Sequence, residues 1–369
     1  MHSHRYAALK TELRSHPRRW LVTGCAGFIG SHLLEQLLRL DQSVVGLDNF
    51  STGKRENLEE VRAAVSPDQW ARFDFREGDL RDSGDCRKAC EGVELILHQG
   101  ALGSVPRSLE DPLRSHASNV DGTINLLEAA RVAGTSRFVY ASSSSVYGDH
   151  PDLPKVEPNI GQPLSPYAAT KRICEIYAEV FSRCFGLPTI GLRYFNVFGP
   201  RQDPAGAYAA VIPKWFAALL RGEPVRINGD GDTSRDFCFV ENVVQANVLA
   251  AVGGSPETPA VYNVACGDRT TLNVLFTHIR EIVARDRHSV REVRPEYRPE
   301  RPGDVRHSLA EIAAIRGRLG YAPGVQIRAG LEQTYLWHRR IHRGAGQSAD
   351  GGDRMPAAPG RESHGPDQA

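Results

Sequence analysis

From Arg18 onward, apolar runs of strand length alternate with stretches whose apolar residues recur every three to four positions. RWLVTG, SVVGLD, ELILHQGA, RFVYASS and PTIGLRYFNVFG predict strands, and SHLLEQLLRL and NVDGTINLLEAARVAG between them predict helices. Near-continuous apolar strands are those buried on both faces. The alternation therefore predicts an α/β fold, a doubly wound parallel sheet with helices on each side. After Pro200 the rhythm weakens. Residues 201–236 and 267–340 mix short helical patterns with Gly/Pro-rich loops and predict a smaller α/β lobe that binds substrate. FCFVENVVQANVLAAV reads as a return to the first domain, which then comprises 18–200 and 237–266. Residues 1–17 read as a loosely attached extension. Residues 341–369 are rich in Gly, Pro and polar side chains; they bury too little to offset their ordering entropy and read as a disordered tail.

Composition narrows the function without choosing it. The 369 residues are 41% hydrophobic, enough for a sizeable core. Lys and Arg number 45 against 44 Asp and Glu, a net charge of +1. A chain that grips nucleic acid by bulk charge carries a basic surplus, so no nucleic-acid partner is expected. No run of about 20 apolar residues occurs, so no membrane span is expected. The polar N-terminus MHSHRYAALKTELRSHPRRW lacks the apolar stretch of a secretory signal. Seven scattered cysteines without a CxxC pair suggest neither a metal site nor a disulfide framework, and a cytoplasmic location is the default.

The first strand leads into Thr23-Gly24-Cys25-Ala26-Gly27-Phe28-Ile29-Gly30, a GxxGxxG spacing that opens a helix. Glycines there permit a tight turn and close approach of backbone to a pyrophosphate, and the helix start offers free N–H groups. Asp48 ends the next strand. A carboxylate at that place accepts from ribose hydroxyls and repels a 2′-phosphate, so NAD is the expected cofactor rather than NADP, on a Rossmann-type sheet. Cys25 reads as a small filler.

Four serines, 142 to 145, end the strand RFVYASS, and SPYAATK follows. Tyr167 and Lys171 are four apart and share a helix face. A tyrosine with a pKa of about 10 is a poor base at neutrality. A drop of about three units, worth roughly 4 kcal/mol, is what an ammonium and a nicotinium nearby could supply.

With these motifs the chain resembles the extended short-chain dehydrogenases/reductases, and within them the UDP-hexose 4-epimerases, notably the UDP-N-acetylglucosamine 4-epimerases of bacterial O-antigen and capsule polysaccharide biosynthesis. The resemblance spans about 18–340 and rests on TGCAGFIGSH, LDNFSTG, GDLRD, HQGALGSVPRS, YASSSSVYG, SPYAATK, LRYFNVFGP, SRDFCFVEN and RPGDVRHS. It implies that Gly24, Gly27, Phe28, Ile29 and Gly30 hold the pyrophosphate. Asp48 would bind the adenosine ribose, with Asn49, Ser51, Thr52 and Gly53 lining the same turn. Asp79 and Leu80 would lie beside adenine, and Gln99 and Ala101 along the middle of the cofactor. Tyr167 and Lys171 are the implied catalytic pair, assisted by Ser143 with Ser144 beside it. Asn196, Arg235, Arg301 and Asp304 are implied to bind the nucleotide diphosphate. Gly103, Ser104 and Ser308 are implied to line the sugar. Family dimers imply a homodimer built from a helix near 105–132 and one from Tyr167 to Phe185.

The resemblance also separates chemistries. Dehydratase relatives carry an Asp-Glu pair where this chain has Ser144-Ser145, and decarboxylating relatives carry a Glu nearby. Serines cannot serve as those acids, which leaves reversible oxidation at carbon 4. The small Ser308 stands where plain-hexose enzymes tend to carry Tyr, which favours the UDP-N-acetylglucosamine/galactosamine pair; UDP-glucose/galactose is the second candidate pair. Two other readings stay open on sequence: a different nucleotide-sugar oxidoreductase, and a non-catalytic dinucleotide-binding regulator.

Overall fold

The computed structural model describes residues 2–205, 209–253, 260–300 and 305–349. Six strands of the central sheet come in chain order: β1 (Arg19–Thr23), β2 (Ser43–Asp48), β3 (Phe73–Glu77), β4 (Leu95–His98), β5 (Arg137–Ser143) and β6 (Thr189–Tyr194). A seventh, Ala260–Val264, lies outside β6. Across the sheet the order is the seventh strand, β6, β5, β4, β1, β2, β3, all parallel. The doubly wound α/β expectation holds. The order reverses between β1 and β4, and that is where open sheets of this kind leave a crevice at their carboxyl ends.

Every residue of β4 and β6 is buried, as continuous apolar runs require. The strand β3, FDFRE, was not among the runs that predict strands. It lies at the sheet edge, and its polar residues interrupt the apolar pattern. The run PTIGLRYFNVFG is broken: β6 stops at Tyr194, Asn196 takes a positive φ of 35°, and Val197–Phe198 pairs instead with Cys238–Phe239.

A second core gathers Ile212, Trp215 and Phe216 from the helix Val211–Arg221, Leu275, Phe276 and Ile279 from Leu272–Val283, and Leu331 and Tyr335 from Ile327–Ala349. It forms the lobe. Within the expected lobe segment, however, Ala310, Ile312, Ile315, Leu319 and Tyr321 pack into the sheet's own core. Arg201 joins the two bodies. It is bound to Glu35 on α2 (Phe28–Arg39), the helix that follows α1 (His2–Ser15), and to Glu60, which also accepts from Trp337 Nε1 at 3.0 Å.

Two expectations about the ends need correction. Residues 2–15 form a helix whose Leu9 and Leu13 are buried in the first core, and Gln42 donates to the Leu13 carbonyl at 2.8 Å. Apolar residues at positions 6, 9 and 13 give that helix a docking stripe, so it is not loosely attached. At the other end, the helix Ile327–Ala349 continues past the expected boundary at 341. The remainder of the tail lies outside the described residues.

Candidate active site

A cavity of about 320 Å³ opens at the carboxyl ends of β1, β2, β4 and β5. The glycine loop forms its floor. Gly24 has φ +67°, and an added Cβ would stand 2.8 Å from the Gly100 nitrogen. An added Cβ at Gly30 would fall 2.0 Å from the Gly24 carbonyl oxygen. Only glycine therefore lets the loop, β4 and α2 close on one another. Gly27 is the N-cap of α2 and supplies no side-chain acceptor, so the first N–H groups of the helix are free to face a phosphate. Cys25 is fully buried, and burial with the nearby Asp48 charge pushes its thiol well above the usual range. It packs and does not react.

Asp48 is 8% exposed at the cavity wall. Its Oδ2 accepts from Ala26 N at 2.9 Å and its Oδ1 from Phe50 N at 2.8 Å. Burial raises its pKa, and these backbone bonds oppose that rise. Each oxygen keeps a further lone pair, the capacity a ribose diol needs. Asp79 accepts from Asn49 Nδ2 at 3.0 Å and is gripped by Arg81, which holds it down at about 2. Ile29, Phe28, Ser51, Thr52, Leu80, Gln99, Ala101 and Gly103 also line the cavity. Gly53 does not line it but packs against Ala26 and Asp48.

Tyr167 and Lys171 line the same cavity, one turn apart on the helix Pro166–Phe185. Local sequence starts that helix where it does: Ser165 Oγ accepts from Ala168 N, and Pro166 occupies the first turn. Tyr167 N donates to Ser108 Oγ at 3.0 Å. The Lys171 ammonium is buried and donates to the Ala141 carbonyl at 2.9 Å. Nearby, His98 is buried between Thr23 and Thr123 hydroxyls at 2.7 and 3.0 Å. Burial and then the Lys171 charge push it down to about 3, so it stays neutral.

Ser143 ends β5 and caps the short turn Ser144–Tyr147. Its Oγ accepts from Ser145 N at 3.1 Å and from Ser145 Oγ at 2.9 Å. Neither Ser143 nor Ser144 is in the cavity lining; Ser142 is. Ser104 holds φ +105° and caps the next short helix through its Oγ, so its side chain is engaged there. Sequence reasoning passed over Ser118, Ser142 and Tyr194, which also line the cavity. The Tyr194 hydroxyl donates to Gln99 Oε1 at 3.0 Å and accepts from Asn247 Nδ2 at 2.9 Å. Tyr194 sits inside the motif LRYFN, which was the available signal.

Asn196 and Arg235 line a second cavity, of about 280 Å³, between sheet and lobe. Val211, Ile212, Trp215, Phe237 and Leu272 make its apolar part, and Arg226, Asn228 and Thr233 add polar groups. None of these eight was singled out from sequence: seven lie outside the motifs quoted above, and Phe237 stands in SRDFCFVEN without a polar group to mark it. Ser308 lines neither cavity; its N donates to the Ser234 carbonyl at 3.0 Å, beside Arg235. Arg301 and Asp304 lie outside the described residues.

Comparison with known proteins sets this geometry in a family. The family model described as NAD dependent epimerase/dehydratase matches residues 20–265. The chain belongs to that family. It is 39% identical over 323 residues to a UDP-glucose 4-epimerase of Mycolicibacterium smegmatis, covering 87% of this chain and 98% of that protein. It superposes on a UDP-N-acetylglucosamine 4-epimerase from Methanobrevibacter ruminantium, solved with UDP-N-acetylmuramic acid, with a TM-score of 0.80. That pair is 37% identical over 88% of this chain and 99% of the other. A Thermus thermophilus UDP-glucose 4-epimerase solved with NAD gives a TM-score of 0.75 at 34% identity, over 87% and 99%. As a member of this family the chain is an enzyme, and NAD is its cofactor. The glycine cradle, the open α2 start and Asp48 fit it. No helix among the described residues is long and apolar enough to cross a membrane.

Proposed function

We propose that the chain is a 4-epimerase interconverting UDP-N-acetylglucosamine and UDP-N-acetylgalactosamine through a 4-keto sugar. NAD supplies reversible hydride transfer at carbon 4 when bound. The chain's own residues do the rest. Residues 24–30 and Asp48 hold the cofactor at the crevice. Tyr167 takes the proton of the 4-hydroxyl and returns it, with the Lys171 ammonium one turn away on the same helix face. Ser143 shares the hydrogen bond to the 4-oxygen. Asn196, Arg235, Arg301 and Asp304 bind the diphosphate and uridine, with an Arg fork suited to phosphate. The second cavity, apolar at one part and polar at the other, suits a base joined to a diphosphate.

The observation that carries the reaction type is the Ser144–Tyr147 turn at the end of β5, where no carboxylate stands to drive elimination. The acetamido preference is supported by space. An added Cβ at Gly103 meets nothing within 4 Å, and Ser308 places a small side chain beside the Ser234–Arg235 strand. Incubation with a panel of UDP sugars and separation of products tests both levels. Interconversion of the N-acetylated pair without net cofactor reduction is expected. Ser308→Tyr should abolish turnover of that pair and spare UDP-galactose; a variant that still turns over UDP-N-acetylglucosamine at the parental rate would sink the gate.

The same reading includes a cytoplasmic homodimer. Leu109 and Leu113, and Ile176, Tyr177 and Val180 on Pro166–Phe185, are exposed apolar side chains. Contiguous patches of this kind mark interfaces, and light scattering reads the mass. All seven cysteines are free thiols, as a reducing compartment allows.

A further inference from the structure

Beneath the cavity, four hydrogen-bond donors converge on one buried carboxylate. Glu175 follows Lys171 by four residues, so both face the sheet from the same side of the helix. It is 2% exposed. Its Oε1 accepts from Ser142 Oγ at 2.7 Å and from Arg193 Nε at 2.8 Å. Its Oε2 accepts from Arg193 Nη2 at 2.9 Å and Arg172 Nη1 at 3.1 Å. Arg193 also donates to the Glu157 carbonyl at 2.8 Å and lies 4.9 Å from the Tyr147 ring centre. Burial alone would raise Glu175, but Arg193, then Ser142 and Arg172, together outweigh it and hold the carboxyl below its usual range.

We propose that Glu175 is a positioning residue: clamped by Arg193, it fixes the Ser142 end of β5 against the helix that carries Tyr167 and Lys171. Neither Glu175 nor Arg193 lines either cavity, so they act through their neighbours. Ser142 lines the cofactor cavity and precedes Ser143; Arg193 precedes Tyr194, which lines it too. The Lys171–Ala141 bond is a second stitch one helical turn earlier. Two stitches one turn apart set both the separation and the rotation of the helix over the strand end. A buried ion pair is a weak source of net stability, since apolar residues of equal volume often serve as well. A fixed acceptor for four donors is instead a source of geometry. Glutamine here would turn one acceptor oxygen into a donor facing donors.

The inference rests on the roles proposed above for Tyr167 and Ser143. Its test is a double-mutant cycle on the NAD-loaded enzyme, with Glu175→Gln, Ser142→Ala and the pair. Each single variant should lower kcat about 10- to 100-fold, the scale of a displacement near 1 Å. KM for the UDP sugar should stay within about twofold, and NAD should be retained. The double variant should lose no more than the worse single, because both changes break one link. Arg193→Lys keeps the charge, loses the fork and should fall between parent and Glu175→Gln; with Ser142→Ala it supplies the same cycle if Glu175→Gln does not fold. A purely structural Glu175 would lower the melting temperature and leave kcat within about threefold. That result, or losses that multiply in the double variant, overturns the clamp. Tyr167→Phe is assayed in parallel. If it is active, the catalytic assignment fails and the clamp with it; if it is inactive while Glu175→Gln is active, only the clamp fails.

Discussion

At the scale of single residues, the cavity brings together side chains that lie more than a hundred positions apart. Tyr167 is the one whose oxygen meets the 4-hydroxyl in the proposed reaction. Tyr167→Phe should fold and retain NAD, yet lose about 10²–10⁴ in kcat, the usual worth of general acid/base assistance. Activity within about threefold of the parent would remove Tyr167 from the mechanism. Most residues proposed to hold the cofactor were legible one by one because each is bound to a local backbone demand: a positive φ at Gly24, an open helix start at Gly27, a strand end at Asp48. Ser142 was not. Its proposed role depends on Glu175 and Arg193, which the fold supplies from 33 and 51 residues away.

At the scale of elements, packing decides what periodicity alone leaves open. The helix expected near 105–132 is interrupted. Asp111 caps a new start at Pro112, and a π-helical turn at Ala117–Asp121 precedes Gly122–Ala133. Leu109 and Leu113, on either side of the first break, face solvent, Leu113 being 81% exposed. Apolar residues at that exposure cost solubility unless covered. Leu113→Asp combined with Val180→Asp should convert the proposed dimer to monomer in sedimentation or light scattering while leaving the melting temperature nearly unchanged. A parent protein already monomeric at working concentration would refute this interface. The helix at residues 2–15 shows the opposite outcome, because its three apolar residues found a partner in the first core. Sequence showed its stripe but not the surface waiting for it.

At the scale of the whole molecule, three histidines among the described residues are held neutral in the fold. Burial lowers His98 to about 3, and His32 and His338 to about 4. Each binds a proton on unfolding at any pH between those values and about 6.5. The unfolded state therefore holds more protons there, and stability falls as pH falls, by about 1.4 kcal/mol per pH unit for each. Asp236 acts the other way. Burial raises it to about 6 despite three backbone donors, so it keeps its proton in the fold and opposes one histidine between about pH 4 and 6. Asp48 and Glu241, also raised by burial, act in the same sense as Asp236. The histidines outweigh them, and the urea midpoint should drop between pH 7 and 5. His338 packs against Phe216 with the rings tilted by 30° and their centres 5.5 Å apart, and its Nε2 has no hydrogen-bond partner among the described residues. His338→Phe should therefore make the acid slope shallower by about one proton without lowering stability at pH 7. An unchanged slope would mean that His338 titrates normally in the fold.

The sequence by itself determined the doubly wound sheet, the glycine loop with Asp48, and the Tyr167–Lys171 face. Each is a local pattern: continuous apolar runs, special backbone angles, a one-turn spacing. Tertiary structure alone decided which polar side chains meet below the cavity, how the lobe wall at Val211, Trp215 and Arg226 closes the second cavity, and that the 308–321 segment belongs partly to the first core. Those outcomes depend on contacts between segments far apart in the chain. Burial and hydrogen-bond satisfaction act on the folded whole, and no spacing along the sequence encodes them.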